Sequence, residues 1–203
     1  MSSKLLPMTD IEARDRILTA AEELYYRKGY AAVGMDELRA AAGVSLRRLY
    51  ALFPAKTDIV TAVLARTHEE WEASLSTAVA DAGADPRERL LAVYGYLEDW
   101  FCTDGFRGCA FINAFGELGG TNAEVTRIVR AHKASFQTYM AGLVAEIGAP
   151  AALGAQLAIL AEGAQSTAAI SADPQVAVQA RDAAAVLIDA AIALRPPVAA
   201  ASR

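Results

Sequence analysis

Apolar residues recur at helical spacing along almost the whole chain. A capping pattern, Thr9-x-x-Glu12, is followed by Ile17, Leu18, Ala21, Leu24 and Tyr25 on one stripe, and Gly29 suits the C-terminal stop. The spacing then predicts two short helices, about Met35–Ala42 and Leu46–Leu52. Gly43 separates them, Ser45 can cap the second, and Pro54 ends it. A long helix follows from about Lys56 to Ala82, with Ile59, Val63, Thr67, Trp71, Leu75 and Val79 inward. Asp85 and Pro86 open the next helix, which is expected to end near Gly105. A glycine-rich shoulder, Gly105 to Gly108, precedes a helix stopped at Gly119 and Gly120. Thr121 and Glu124 repeat the capping pattern ahead of the stripe Val125, Ile128, Val129, His132, Phe136, Met140, Leu143 and Ile147. Pro150 and the pair Asp173-Pro174 open the last two helices, and Arg195-Pro196-Pro197 stops the chain's final one. The pattern predicts about nine helices, hence an all-α protein, with no internal repeat.

Composition sharpens this. The 203 residues are 54% hydrophobic and 21% charged, and 46 are Ala, the best helix former. Such a chain buries a real core. No apolar run reaches the ~18 residues of a membrane span. The N-terminus lacks the pattern of a signal peptide, and two cysteines, Cys102 and Cys109, cannot make a disulfide framework. The expectation is a cytoplasmic protein with reduced thiols and no membrane association. The net charge of −5 argues against a general nucleic-acid binder. Its distribution changes that view: residues 1–60 hold 9 Lys/Arg against 8 Asp/Glu, and residues 61–203 hold 10 against 16. A basic site is therefore local and N-terminal.

The sharpest motif is residues 35–53, MDELRAAAGVSLRRLYALF. Two short helices around Gly43-Val44-Ser45 fit a helix-turn-helix, with Met35, Leu38, Ala42, Val44, Leu49 and Phe53 available for packing. Leu46, Arg47, Arg48 and Tyr50 then lie on or beside the second helix, whose N-terminal part would enter the major groove. From the residues alone, a plain helical hairpin with a solvated arginine pair is the alternative.

Residues 14–64 resemble the DNA-binding domain of the TetR family of transcriptional regulators. The matching pieces include Lys28-Gly29-Tyr30, Met35-Asp36-Glu37-Leu38, Ala41-Ala42-Gly43-Val44-Ser45, Leu49-Tyr50, Phe53 and Lys56. The resemblance implies a three-helix DNA-reading head over residues 1–55, a ligand-binding and dimerisation domain over 56–195, and a flexible tail over 196–203. It implies base contacts from Ser45, Leu46, Arg47 and Arg48, and phosphate contacts from Tyr50 and Lys56. Arg39 stands where a small residue is usual, and is expected to reach the DNA backbone. Val33 and Gly34 stand where many members carry Thr or Ser, which removes one hydroxyl donor.

Aromatic residues concentrate in the middle of the chain. Trp71, Tyr94, Phe101, Phe111, Phe115, Phe136 and Tyr139, with His132 on its apolar stripe, are the candidates for lining an effector pocket. Glu117 and Gln165 are further polar candidates. The expected effector is small and largely apolar. Leu153, Leu157, Leu160 and Ala164 share one face of the penultimate helix, and Ala184, Leu187 and Ala191 one face of the last. The resemblance implies that these helices form a homodimer by a four-helix bundle, which would present two heads to a palindromic double-stranded operator. The cysteines are expected to be two buried small hydrophobes, the alternative being a redox switch at Cys109, which stands at a predicted helix N-terminus seven residues after Cys102. No nucleophile elbow, phosphate loop or zinc motif is present, so neither enzyme activity, cofactor nor metal is expected. The expectation is a ligand-responsive repressor. The rival is a helical small-molecule carrier or interaction module without DNA binding.

Overall fold

The structure, a computed structural model, describes residues 8–194. The tail expected at 196–203 lies outside the described residues. Among these, nine α-helices and no strand are present: α1 Asp10–Lys28, α2 Met35–Ala42, α3 Leu46–Leu52, α4 Lys56–Asp81, α5 Pro86–Phe101, α6 Ala110–Leu118, α7 Ala123–Glu146, α8 Ala151–Ser171 and α9 Gln175–Ala193.

Local chemistry sets most of these bounds. Thr9 Oγ1 accepts the Glu12 N–H at 3.2 Å while Glu12 Oε2 accepts the Thr9 N–H at 2.7 Å, the reciprocal pair expected at the start of α1. Accepting that backbone N–H also holds the Glu12 carboxyl below its ordinary pKa. Asp85 caps α5 with Pro86 in its first turn. Two boundaries differ from expectation. Helix α5 ends at Phe101, short of Gly105. At α7 the cap is Asn122, whose Oδ1 accepts the N–H groups of Glu124 and Val125, both at 3.1 Å. Thr121 instead donates its hydroxyl to Leu118 O, and Glu124 turns to Arg127. The Asn side chain one residue later satisfies the same orphan donors.

The helices form two compact units. The first contains residues up to Glu70 together with Ala110–Arg130, so it extends well past residue 55. The second contains Trp71–Cys109 together with residue 131 onward. Helices α4 and α7 each contribute residues to both.

In the first unit α1 buries Ala13, Ile17, Ala21 and Tyr25, and α4 adds Ile59, Val60, Val63 and Leu64. Arg66 pins α4 to α1 through Glu22 at 2.5 Å, with Asp15 at 3.5 Å. In the second unit α5, α8 and α9 share one core that contains Leu90, Tyr94, Leu97, Leu157, Ala161 and Ile188, joined by Phe136, Met140 and Leu143 of α7. Ala-rich faces let α8 and α9 pack closely.

Two buried tyrosines make opposite stability predictions. Tyr94 donates its hydroxyl to Leu157 O at 2.8 Å. Tyr25 is 1% exposed, and its hydroxyl has no hydrogen-bond partner among the described residues. Burial pushes both phenols well above their ordinary pKa, so both stay neutral. Tyr94→Phe is expected to cost about 1 kcal/mol and Tyr25→Phe to gain about 1 kcal/mol, because an unmet buried donor is itself a penalty. Thermal melts read this as shifts of roughly 2–4 °C in opposite directions. A lower Tm for Tyr25→Phe would refute the second claim.

Candidate nucleic-acid interface

The helix-turn-helix forms as its spacing suggests. Gly43 closes α2 at φ 65°, ψ 34°, the left-handed region that glycine enters without a Cβ penalty. Its N–H donates to Ala40 O at 3.3 Å, and the Val44 N–H donates to Arg39 O at 3.0 Å, so the turn satisfies α2's last carbonyls. Ser45 Oγ then accepts the Arg48 N–H at 3.2 Å and starts α3. Leu38, Ala42, Val44, Leu49 and Phe53 are buried. The Arg14 guanidinium lies 4.4 Å over the Phe53 ring. This burial fixes the angle of α3 and leaves one of its faces outward.

The outward face carries the candidates unequally. Arg47 is exposed, and no hydrogen bond or ion pair engages it among the described residues. Leu46 and Tyr50 are exposed beside it. Ser45 is exposed, with its oxygen already serving as the cap. Arg48 is not free: its Nη2 donates to Met8 O at 2.5 Å and to Asp10 Oδ1 at 2.9 Å. It ties α3 to the start of α1, a role that spacing could not reveal because the partners lie 38 and 40 residues away. Arg39 donates to Asp36 Oδ1 at 3.0 Å within its own helix. Lys56 folds back, donating to Ala31 O at 3.2 Å with its ammonium 5.9 Å above the Tyr25 ring. Burial lowers its pKa, and the charge of Glu117 works in the opposite direction.

Glu117, expected as a pocket residue, sits in the first unit instead. Its Oε2 accepts the Ala31 N–H at 2.7 Å, in the turn between α1 and α2. Gly29 makes the approach possible, because it has φ +92° and a Cβ there would stand 2.9 Å from Glu117 Oε1. Tyr30 donates to Ala110 O at 3.3 Å, and Asn122 Nδ2 donates to Thr57 Oγ1 at 3.3 Å. Helix α6 is thus part of the first unit.

The pocket candidates separate. Phe111 and Phe115 belong to the first unit, where Phe111 is buried with its ring 6.4 Å from His68 and Phe115 is exposed. In the second unit Tyr94 and Phe101 are packed into the core, Phe101 against Phe106 at 4.8 Å. Trp71, Phe136 and Tyr139 do line a cavity, of about 250 Å³, together with Glu72, Ser76 and Ser135. His132 is buried at its edge, with its ring 5.0 Å from Trp71. Sequence reading missed Glu72, Ser76 and Ser135. The available signal was the four-residue spacing of 72 with 76 and of 135 with 139, which places each pair on one helix face. Gln165 is buried on α8.

The dimer candidates also separate. Leu153, Leu157, Ala164 and Ala184 are buried in the second unit's own core, so they pack within the chain. Leu160 and Ala191 are half-buried and Leu187 is exposed. The exposed large apolar side chains in the bodies of α8 and α9 are Ile159, Ile170, Val186 and Leu187. Cys109 is buried, with Lys133 Nζ donating to its sulfur at 3.6 Å, whereas Cys102 is exposed, contrary to expectation. No helix among the described residues is long and apolar enough to cross a membrane.

Known proteins give this geometry a context. Residues 17–63, which include the whole helix-turn-helix, match the profile of the bacterial regulatory proteins, tetR family. An uncharacterised HTH-type transcriptional regulator of Mycobacterium tuberculosis is 38% identical over 79 residues, which are 39% of each chain. The HTH-type transcriptional activator FasR of Mycolicibacterium smegmatis is 38% identical over 98 residues, 47% of this chain and 44% of that protein. The HTH-type transcriptional repressor NemR of Escherichia coli is 26% identical over 111 residues, 54% of this chain and 56% of the other. The matches therefore span only about two-fifths to just over half of these curated relatives' length. Similarity to solved structures is more extensive. A TetR-family transcriptional regulator from Streptomyces coelicolor superposes with a TM-score of 0.83 at 30% identity, over 90% of this chain and 97% of that one. With a helix-turn-helix built as described and a relative of this identity matched over nearly its whole length, the chain belongs to the TetR family of bacterial transcriptional regulators.

Proposed function

We propose that the protein is a homodimeric, ligand-responsive repressor. Two α3 helices hold a palindromic operator, and a small, largely apolar effector in the second unit releases it. The observation that carries this reading is Arg47, exposed and unengaged among the described residues at the start of a helix whose opposite face is buried. A guanidinium so placed can bond both acceptors on the major-groove edge of guanine. Tyr50 offers a hydroxyl to phosphate, and Lys56 supplies charge once it swings from Ala31.

One seven-residue helix makes few base contacts, so a second copy on a two-fold repeat is needed for useful affinity. The exposed apolar side chains of Ile159, Ile170, Val186 and Leu187 support pairing through α8 and α9. Helix α4 begins at Lys56 in the head and continues past Trp71 at the cavity, so one helix carries both the phosphate lysine and a pocket wall. An effector that prefers one orientation of α4 would shift the spacing of the two heads away from one turn of DNA, about 34–36 Å. Of the relatives described above, NemR is named a repressor and FasR an activator, and the proposed sign follows NemR. The protein acts in the cytoplasm, where its operator is.

Selection of bound duplexes from a random library at low salt tests the reading. The expected product is an inverted repeat with half-site centres about 10–10.5 base pairs apart, bound with a log K that falls linearly with log salt. Failure to enrich any sequence, with no binding at low ionic strength, would leave the helical carrier as the better account.

A further inference from the structure

In the first unit, side chains from α4 and α6 meet at Ala31, in the turn between α1 and α2. Glu117 of α6 accepts the Ala31 N–H at its Oε2, 2.7 Å away. Lys56, the first residue of α4, donates from its ammonium to Ala31 O at 3.2 Å. An acid and a base are thus seated on the two polar groups of one residue. Gly29 leaves the room for the acid, since a Cβ there would stand 2.9 Å from Glu117 Oε1 and 3.0 Å from Oε2. Just beyond α6, Asn122 Nδ2 donates to Thr57 Oγ1 at 3.3 Å, so the stretch that carries Glu117 is held to the start of α4 at a second point. Glu117 is the carboxylate whose charge acts on the Lys56 ammonium. The neighbouring acids are turned elsewhere: Asp58 accepts the Ala55 N–H at 2.8 Å, and Glu37 of α2 is paired with Lys28 at 2.5 Å. The Tyr25 ring lies 5.9 Å from the ammonium, at the outer edge of the range over which a ring attracts a cation.

Contact with a DNA phosphate requires the ammonium to leave these partners. A carboxylate and a phosphate compete for the same cation, so the pull of Glu117 in the free protein subtracts from what the phosphate contact gains. The bond from the Ala31 N–H to Glu117 does not involve the lysine and survives its departure. Glu117 therefore has two separable effects. Its oxygen holds the turn, and its charge acts on Lys56. Glutamine has the same size and an acceptor oxygen but no charge, so Glu117→Gln removes the second effect alone.

We propose that Glu117 restrains DNA binding, its carboxylate holding the Lys56 ammonium at the α1–α2 turn until a phosphate draws it away. The inference rests on reading Lys56 as a phosphate-contacting residue of a DNA-binding regulator. It adds a positioning residue, on a helix outside the helix-turn-helix, that sets the strength of that contact. Phosphates are alike in every sequence, so the restraint lowers the hold on operator and on unrelated DNA by the same factor.

The test is a cycle of four full-length proteins: wild type, Glu117→Gln, Lys56→Ala and the double variant. Their affinities for matched and scrambled duplexes are measured at low salt, where charge effects are least screened. Glu117 is exposed, so the effect is moderate. Glu117→Gln is expected to bind both duplexes about threefold more tightly per protomer, or about tenfold for the two copies of a dimer. In the Lys56→Ala background the same change should give less than about twofold, because only direct repulsion between Glu117 and DNA is then relieved. A role confined to holding the turn would not depend on Lys56 in this way. Gln keeps the acceptor for the Ala31 N–H, so the Tm of Glu117→Gln should match that of wild type. Glu117→Ala supplies a second neutral side chain and should also tighten binding, so a misfolded Gln variant does not shield the idea. No tightening by either neutral variant, or equal tightening with and without Lys56, overturns the proposal and leaves the regulator reading in place. A wild-type chain that holds no duplex at low salt overturns both.

Discussion

Arg47→Ala is expected to remove most of the protein's preference for its operator while sparing its hold on unrelated DNA. Arg47 is the one α3 arginine that its own fold leaves unengaged among the described residues, since Arg48 is spent on Met8 O and Asp10. A bidentate contact to a base discriminates by about 1–3 kcal/mol. Two half-sites double this to about 2–6 kcal/mol per dimer, roughly 30-fold to more than 10⁴-fold in affinity for the matched duplex. Binding to a scrambled duplex is sequence-independent and electrostatic, so there the loss is limited to the removed charge. Lys56→Ala is the contrasting control. It should weaken matched and scrambled duplexes alike and make the salt slope shallower by about 0.9 for each phosphate left without its lysine. Arg48→Ala should act through the head's own structure, lowering Tm because the tie between α3 and the start of α1 is cut. Fluorescence anisotropy on the two duplexes over a salt series separates the three. Equal losses on both duplexes for Arg47→Ala would remove Arg47 from base reading.

The difference between the arginines shows which parts of the head were legible in the sequence. Periodicity and capping placed α1, α2, α3 and α4 close to their observed bounds, because these signals act over three or four residues. Gly43 was readable as the turn because a left-handed residue must stand there, and glycine does so at least cost. What each charged side chain does was not readable. Arg47 and Arg48 are neighbours of one type, and they part only because Asp10 and Met8 come within reach of one of them in three dimensions. Lys56 likewise carries the expected charge but points it at Ala31 O.

In the remainder of the chain the limit has the same origin. An aromatic residue in a helical stripe looks the same whether it faces a packed core or a cavity. Tyr94 and Phe101 fill the core, Phe136 belongs to that core and also lines the cavity, and Trp71 and Tyr139 are partly exposed at it. Glu117 is a polar pocket candidate by sequence, yet it accepts the Ala31 N–H, 86 residues earlier in the chain. No local pattern reports such a distant partner. Nor does helical spacing reveal which of several apolar faces on α8 is inward, since alanine occupies both sides and scarcely marks either.

Because of that ambiguity on α8, two neighbouring apolar residues should give different kinds of damage when replaced. Leu157 is 0% exposed and its carbonyl accepts the Tyr94 hydroxyl, so Leu157→Ala opens a cavity in the protomer's own core. Its cost should be about 2–5 kcal/mol, a large part of a domain's total stability. Ile159, two residues on, is 70% exposed. There Ile159→Asp leaves the core untouched and places a charge in the proposed dimer face, where it would be desolvated without a partner. A dimer that binds its second copy only when folded melts at a temperature that rises with protein concentration. Wild type should show that rise. Leu157→Ala should melt lower at every concentration while keeping it, whereas Ile159→Asp should lose it and sediment as a monomer. Its operator affinity should fall with the dimer, because one recognition helix remains. A dimeric Ile159→Asp would move the interface off this face, and a Leu157→Ala protein as stable as wild type would contradict the packing of α8 against α5.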